Sequence, residues 1–150
     1  MSGSQTNEED LYQKILLKHA RQPVGFGVLE EFDLVANGVN RLCGDSISIY
    51  IELSNSKIIE RVSFSGESCA ICKGTASMLM AQLPGKCLDD ASSLVSEFNN
   101  FVECWDDGSF EAFSPLKVIK NFPTRLKCMK LPWETLQAAI VGNKQDVSTE

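Results

Sequence analysis

The sequence lacks any apolar run long enough to cross a bilayer, so it predicts no transmembrane helix. It also lacks a basic excess, because 14 lysines and arginines stand against 20 acidic residues and give a formal net charge of −6. This charge argues against nucleic acid or an anionic membrane as the main partner. The segment Met1 to Asp10 lacks the basic and apolar stretches of a signal peptide, so we expect a cytosolic protein.

Internal repeats and low-complexity linkers are also missing. The 150 residues are 43% hydrophobic and 23% charged, which is typical of a soluble globular protein and sufficient for one domain with a core. We expect a single domain over residues 1–150, ordered from about residue 9 to about residue 142 with polar termini. In a reducing compartment, six cysteines favour metal binding, catalysis or burial over disulfide formation.

The hydrophobic periodicity predicts an α+β domain in which a small antiparallel β-sheet packs against helices. A strand over 46–53 and a second strand carrying Ile58, Val62 and Phe64 form an antiparallel hairpin. A further strand over 28–35 is expected to end before Asn37-Gly38. Apolar spacing, prolines and glycines predict helices over 9–21, 69–83, 88–101, 115–121 and 133–141, the last opened by Pro132. A loop is expected over 105–113, and residues 122–130 are expected to be turn-like or helical.

Cys43 and Asp45 lie at the entrance of the first hairpin strand. They are two residues apart, so both side chains point to the same side of the strand. Gly44 between them lets the backbone bend or approach another group closely. A sulfur and an oxygen ligand of this kind suit a borderline-soft cation such as Zn²⁺.

Cys69 lies where the second hairpin strand gives way to a helix. The N–H groups and dipole of a helix N-terminus favour an anion, so we expect the pKa of this thiol to be lowered. The hairpin also brings Cys69 near Cys43 and Asp45.

Cys128 is distant in sequence and is surrounded by Arg125, Lys127 and Lys130, a cationic setting that favours a thiolate. Burial as a small apolar residue remains open for each cysteine, as does a turn hydrogen bond for Asp45. The chemical hypothesis is a tetrahedral set of three thiolates and one carboxylate, formed by Cys43, Asp45, Cys69 and Cys128.

Three cysteine-containing blocks follow one another in a defined order, after Leu11-Tyr12, His19 and Pro23. They are Leu42-Cys43-Gly44-Asp45, Ser68-Cys69-Ala70-Ile71-Cys72-Lys73 and Phe122-Pro123-Thr124-Arg125-Leu126-Lys127-Cys128 with Leu131-Pro132-Trp133. In these stretches the chain resembles the iron–sulfur cluster assembly proteins of the IscU/NifU N-terminal superfamily, and within it the SufU branch. The resemblance extends over residues 11–141.

Two features favour the SufU branch over IscU. IscU-type proteins carry a histidine where this chain has Lys127, and a Leu-Pro-Pro-Val-Lys motif that is missing here. The segment between Cys69 and Cys128 is also longer than in IscU, as it is in SufU-type proteins.

The resemblance implies an IscU/SufU-like fold and a zinc site formed by Cys43, Asp45, Cys69 and Cys128. Cys43 would accept persulfide sulfur from a SufS-type cysteine desulfurase, and the protein would stimulate that enzyme. Arg125 would lie near the site or face the partner. Other SUF assembly proteins are further implied partners. We hypothesise that docking of the desulfurase frees Cys43 from the metal, because a metal-bound thiolate is a weaker nucleophile.

Three alternatives remain open. The same ligands could hold iron or a transient [2Fe–2S] cluster, which would make the protein a scaffold rather than a sulfurtransferase-like protein. Alternatively, the Cys69-x-x-Cys72 pair could carry the chemistry of a thiol redox protein. As a third alternative, the zinc ion could stabilise the fold without taking part in any reaction. Cys72, where SufU-type proteins usually carry a small residue such as serine, could also be an auxiliary group of the site or a disulfide partner of Cys69. Lys127 could assist docking or stabilise a thiolate.

The remaining notable residues are expected to be structural. His19, the only histidine, lies on the apolar face of the first helix, which favours a hydrogen-bonded structural role. Trp133 is expected to anchor the last helix in the core. Cys87 and Cys104 fit no ligand pattern, and the Asp106-Asp107 pair is typical of a solvated loop.

Overall fold

The computed structural model describes residues 3–105, 111–142 and 146–148. In chain order the elements are α1 (Gly3–Arg21), β1 (Leu34–Asn40), β2 (Asp45–Leu53), β3 (Ile59–Glu67), α2 (Ala70–Gln82), α3 (Leu88–Cys104), 3₁₀ helices over Glu111–Asn121 and Pro123–Arg125, α4 (Leu126–Val141) and β4 (Val147–Ser148). The α+β prediction is confirmed.

The four strands form one sheet in the order β3-β2-β1-β4. The predicted hairpin of β2 and β3 is present, and β1 pairs antiparallel with β2 on its other side. The short strand β4 lies parallel to β1, so the sheet is mixed rather than purely antiparallel. Alternate residues of β2 are buried against the helices, as period-2 patterning requires, namely Ile47, Ile49 and Ile51.

The helices cover this buried face of the sheet. Helix α4 lies against β1 and β2, α2 packs between α1 and α4, and α3 packs on α4. Trp133 of α4 is 1% exposed and stacks on Phe98 of α3 with ring centroids 4.2 Å apart. Phe113 meets the same tryptophan edge-on at 5.4 Å. The prediction that Trp133 anchors the last helix in the core is confirmed.

Two predicted boundaries in the N-terminal part are wrong. Helix α1 begins at Gly3 rather than at residue 9. Strand β1 covers 34–40 rather than 28–35, so Asn37-Gly38 lies inside the strand instead of ending it. Glycine is required at this position by packing, because a Cβ atom on Gly38 would overlap Oγ1 of Thr135 in α4.

The C-terminal part also differs from the prediction. Residues 111–113 begin a 3₁₀ helix that contains Pro115, whereas the rest of the predicted loop, including Asp106-Asp107, lies outside the described residues. Helix α4 begins at Leu126, six residues before the proline that was expected to open it. It ends as predicted, with Gly142 in the left-handed conformation. Within the described residues, no helix has both the length and the apolar character needed to span a membrane.

Candidate metal centre

Cys43 is presented by the tight turn that joins β1 to β2. The Cys43 N–H bonds to the carbonyl of Asn40 at 3.3 Å, and the Gly44 N–H bonds to that of Arg41 at 3.2 Å. Gly44 has a φ of 73°, which a residue with a side chain adopts only at a cost. Leu42 at the tip is 78% exposed, whereas Cys43 is half-buried. The turn therefore holds the thiol at the surface, on the rim of the domain.

Asp45 opens β2 on the strand face that also carries Ile47, so its carboxylate points inward and is only 2% exposed. Its Oδ1 accepts a hydrogen bond from the backbone N–H of Cys69 at 2.7 Å. Among the described residues, its Oδ2 has no hydrogen-bond partner although it is buried. A buried carboxylate oxygen without a partner is costly unless a ligand satisfies it.

Cys128 reaches the same place from the first turn of α4 and is fully buried. Its sulfur accepts a hydrogen bond from Nδ2 of Asn40 at 3.6 Å. The close approach of α4 to β1 at Gly38 keeps this part of the helix near the end of the strand.

The turn, the strand and the helix together bring three donor atoms into one cluster. The sulfurs of Cys43 and Cys128 and a carboxylate oxygen of Asp45 lie within 4.8 Å of one another. Two ligand atoms on one zinc ion are at most about 4.6 Å apart, twice the Zn–S bond length of about 2.3 Å. Small side-chain rotations would therefore suffice to place all three on one ion.

Cys69 borders this cluster rather than belonging to it in the described geometry. It is the N-cap of α2, and its sulfur accepts from the backbone N–H of Cys72 at 3.5 Å. Its own N–H holds Asp45, and its thiol interacts with that of Cys128. A rotation of this half-buried side chain could add a fourth donor.

The expected lowering of two thiol pKa values is wrong for the metal-free site. Burial raises the pKa of Cys69, and the carboxylate of Asp45 adds to this, so together they outweigh the helix N–H groups. Burial also raises the pKa of Cys128, and the neighbouring side chains of Cys43 and Asp45 add to this. Such thiols need a nearby cation to remain thiolates.

Arg125 is the cationic side chain that the structure places at the site. It is exposed, and its hydrogen bond to Cys128 raises the pKa of its guanidinium, with smaller contributions from Cys69 and Cys43. Lys127, one residue before Cys128, is also exposed.

Cys72 lies in the first turn of α2, three residues after Cys69, and is fully buried. Burial raises the pKa of its thiol strongly, and the charges of Asp45 and Cys69 add to this. It forms no disulfide with Cys69, as all six cysteines are free. Its thiol is therefore a neutral neighbour of the site in this structure.

The donor set fits a zinc ion on two counts. Two sulfurs and a carboxylate oxygen, with a third sulfur at the border, are the ligand types found in tetrahedral zinc sites. The buried Oδ2 of Asp45 also lacks any partner among the described residues, and an ion would supply one.

The structure separates the remaining sequence candidates from the cluster. His19 Nδ1 is 2.7 Å from Oγ of Ser77, so the predicted structural hydrogen bond is confirmed. Cys87 is the N-cap of α3, where its sulfur accepts from the N–H of Asp90, and Cys104 is exposed at the end of that helix.

The sequence interpretation did not include Asn40, which contacts the cluster directly. Its position three residues before Cys43 is visible in the sequence. Its burial follows only once β1 is known to run through Asn37-Gly38 and to pair Asn40 with Asp45.

Comparison with known proteins agrees with this geometry. Residues 11–104 match the family described as the NifU-like N-terminal domain. The chain belongs to this family. The matched region of this NifU-like domain contains Cys43, Asp45 and Cys69, and Cys128 lies beyond it.

Curated relatives extend the similarity over most of the chain. The zinc-dependent sulfurtransferase SufU of Bacillus subtilis is 31% identical over 140 residues, covering 89% of this chain and 92% of the relative. The iron–sulfur cluster assembly scaffold protein IscU of Thermotoga maritima is 28% identical over 132 residues, covering 87% and 92%. The resemblance to the IscU/SufU proteins is thus confirmed.

Solved structures show the same fold. The crystal structure of a protein described as an iron–sulfur cluster assembly scaffold for the SUF system, from Fervidobacterium islandicum, has a TM-score of 0.73 and 26% identity. The alignment covers 85% of this chain and 94% of that protein. The predicted IscU/SufU-like fold is therefore confirmed.

Proposed function

We propose that residues 1–150 form one IscU/SufU-like domain that acts in iron–sulfur cluster assembly in the cytosol. A zinc ion is held by Cys43, Asp45, Cys69 and Cys128, and Cys43 accepts sulfur from a SufS-type cysteine desulfurase, which the domain stimulates. One observation carries this proposal, the convergence of three donor atoms within 4.8 Å. Similarity to a zinc-dependent sulfurtransferase supports it.

The position of Cys43 on a turn favours it as the sulfur acceptor. Cys128 is fully buried, and Cys69, although also half-buried, lies at the N-terminus of α2. Cys43 is half-buried on a turn whose tip, Leu42, is 78% exposed. A partner can therefore reach this thiol without unfolding any helix.

The proposed transfer is a thiol–persulfide exchange that needs no external oxidant or reductant. The Cys43 thiolate attacks the outer sulfur of the desulfurase persulfide, and a new S–S bond forms on Cys43. The old S–S bond breaks, its electron pair stays on the desulfurase cysteine, and that thiolate takes up a proton. Cys43 is left as a persulfide.

The thiols of the cluster need positive charge nearby, because burial raises the pKa of Cys69 and of Cys128. A bound zinc ion would supply the positive charge that keeps such thiols deprotonated. Arg125 adds a second positive charge through its hydrogen bond to Cys128. The exposed guanidinium of Arg125 also suits attraction of an anionic persulfide from the partner.

A scaffold function is the second candidate, because this chain is similar to IscU proteins described as assembly scaffolds. In that case iron and sulfide are substrates that the same thiolates collect, since these ligands bind iron as well as zinc. The two functions differ in the metal and sulfide content of the purified protein.

The test begins with protein purified without oxygen, in which metal and acid-labile sulfide are measured. We expect one zinc ion per chain with little iron or sulfide, whereas iron with matching sulfide would favour the scaffold. Protein without any metal would contradict both functions and favour the thiol redox alternative.

Sulfur acceptance is measured next, with radiolabelled persulfide on a SufS-type desulfurase. Cys43→Ala should abolish labelling, whereas Cys104→Ala removes an exposed cysteine outside the cluster and should leave labelling intact. Equal labelling of the two variants would contradict the acceptor role. If Cys43 is no more reactive than Cys69, a purely structural zinc site would be favoured.

A further inference from the structure

Asn40 is a buried polar residue at the edge of the cluster that no step above uses. It is the last residue of β1 and has no exposed surface. Burial of an amide is unfavourable unless its polar groups are bonded. The contacts of the Asn40 side chain should therefore show why an amide is buried at this position.

Asn40 contacts each of the three clustered donor residues by a different route. It is the register partner of Asp45 across the antiparallel pair of β1 and β2. Its backbone carbonyl accepts the N–H of Cys43 at 3.3 Å. Its side-chain Nδ2 donates to the sulfur of Cys128 at 3.6 Å.

The side-chain contact is the one that acts on metal chemistry. A hydrogen bond to a ligand atom fixes the direction of that ligand and withdraws electron density from it. Oδ1 of Asn40 is buried without a partner among the described residues, whereas its Nδ2 donates to Cys128. The reversed amide would instead direct an acceptor oxygen at a thiolate.

We propose that Asn40 is a positioning residue of the metal site, whose amide donates to Cys128 and orients its sulfur toward the ion. This inference rests on the proposed function, because it requires a metal at the cluster. The main chain of the same residue holds the turn of Cys43 and aligns Asp45. Removal of the amide should therefore act on Cys128 alone and leave the strand intact.

The test compares Asn40→Leu with Asn37→Leu. Both residues lie in β1, but the side chain of Asn37 is exposed and bonds to Ser48 on the far side of the sheet. Zinc affinity is measured by competition with a chelator, and Co²⁺ is then bound in place of zinc to record the thiolate-to-cobalt charge-transfer band. We expect zinc affinity to fall about 10- to 100-fold for Asn40→Leu, the usual effect of losing a hydrogen bond to a ligand. The charge-transfer band should move to lower energy, because the thiolate becomes more electron-rich, and Asn37→Leu should change neither quantity.

Asn40→Asp provides a second variant of nearly the same shape if the leucine variant does not fold. At mildly alkaline pH its carboxylate removes the donor and should shift the band in the same direction. Wild-type affinity, or weaker binding with an unmoved band, would overturn the positioning role. If wild-type protein binds neither Zn²⁺ nor Co²⁺, the proposed function itself fails, which separates the two cases.

Discussion

Replacement of Asp45 by asparagine should change metal binding and fold stability in opposite directions. In the structure Oδ1 of Asp45 accepts the Cys69 N–H at 2.7 Å, and Oδ2 is buried without a partner among the described residues. Asparagine keeps the size of the side chain and can keep the bond to Cys69 through its carbonyl oxygen. Its amide group then occupies the place of Oδ2, where it cannot bind a cation.

The expected size of the metal effect follows from sharing the binding energy among four ligands. A structural zinc site contributes about 10–16 kcal/mol, so one of four ligands accounts for about 2.5–4 kcal/mol, or a loss of roughly 60- to 700-fold in affinity. The metal-free protein should instead gain about 1–3 kcal/mol, because a buried carboxylate with one unpartnered oxygen is replaced by a neutral group.

Zinc affinity is measured by chelator competition, and the free energy of unfolding of the metal-free protein by urea denaturation. Asp33→Asn is the matched control, because Asp33 also accepts a backbone N–H at 2.7 Å, from Leu53, but is exposed and outside the cluster. It should leave zinc affinity unchanged. The reasoning is refuted if Asp45→Asn keeps wild-type affinity, or if it lowers the stability of the metal-free protein.

Two further predictions concern Cys72 and His19. Cys72→Ser should retain zinc binding and sulfur acceptance, since the buried thiol is a neutral neighbour of the cluster. Loss of sulfur acceptance in Cys72→Ser, together with normal sulfur acceptance in Asp45→Asn, would support a thiol redox protein. Burial lowers the pKa of His19 in the folded state below its unfolded value, so its contribution to stability is complete above about pH 6.5 and is lost as pH falls. His19→Gln should therefore flatten the fall in unfolding free energy between about pH 7 and pH 5, and an unchanged slope in urea denaturation would contradict this.

Elements with strong local periodicity could be predicted from the sequence. The β2–β3 hairpin follows from alternating apolar residues on either side of a polar turn, and α3 from an apolar stripe at helical spacing, all of which is buried. Strand β4 could not be predicted, because a two-residue strand has no periodicity and exists through its pairing with β1.

The sequence pointed to residues of the candidate site but not to their electrostatics. The two-residue spacing of Cys43 and Asp45 placed both side chains on one side of β2, and the structure brings them together with Cys128. Cys69, which the hairpin was expected to bring near them, borders this cluster. The pKa directions of Cys69 and Cys128 were wrong, because a local pattern shows helix dipoles and neighbouring charges but not burial.

The errors at Gly38 and Pro132 have a common origin, which also explains the geometry of the site. Gly38 is unfavourable in a strand, but its lack of a side chain lets Thr135 of α4 pack directly against β1. Pro132 is unfavourable in a helix, but it lies within α4. Proline lacks the N–H that would bond the carbonyl four residues earlier, which is that of Cys128. Both unfavourable residues therefore lie where α4 packs against β1. This packing places Cys128 near the end of β1, where Asn40 donates to its sulfur. Departures from local preference are expected at functional sites, and here they lie on the two elements, β1 and α4, that lead to the candidate metal centre.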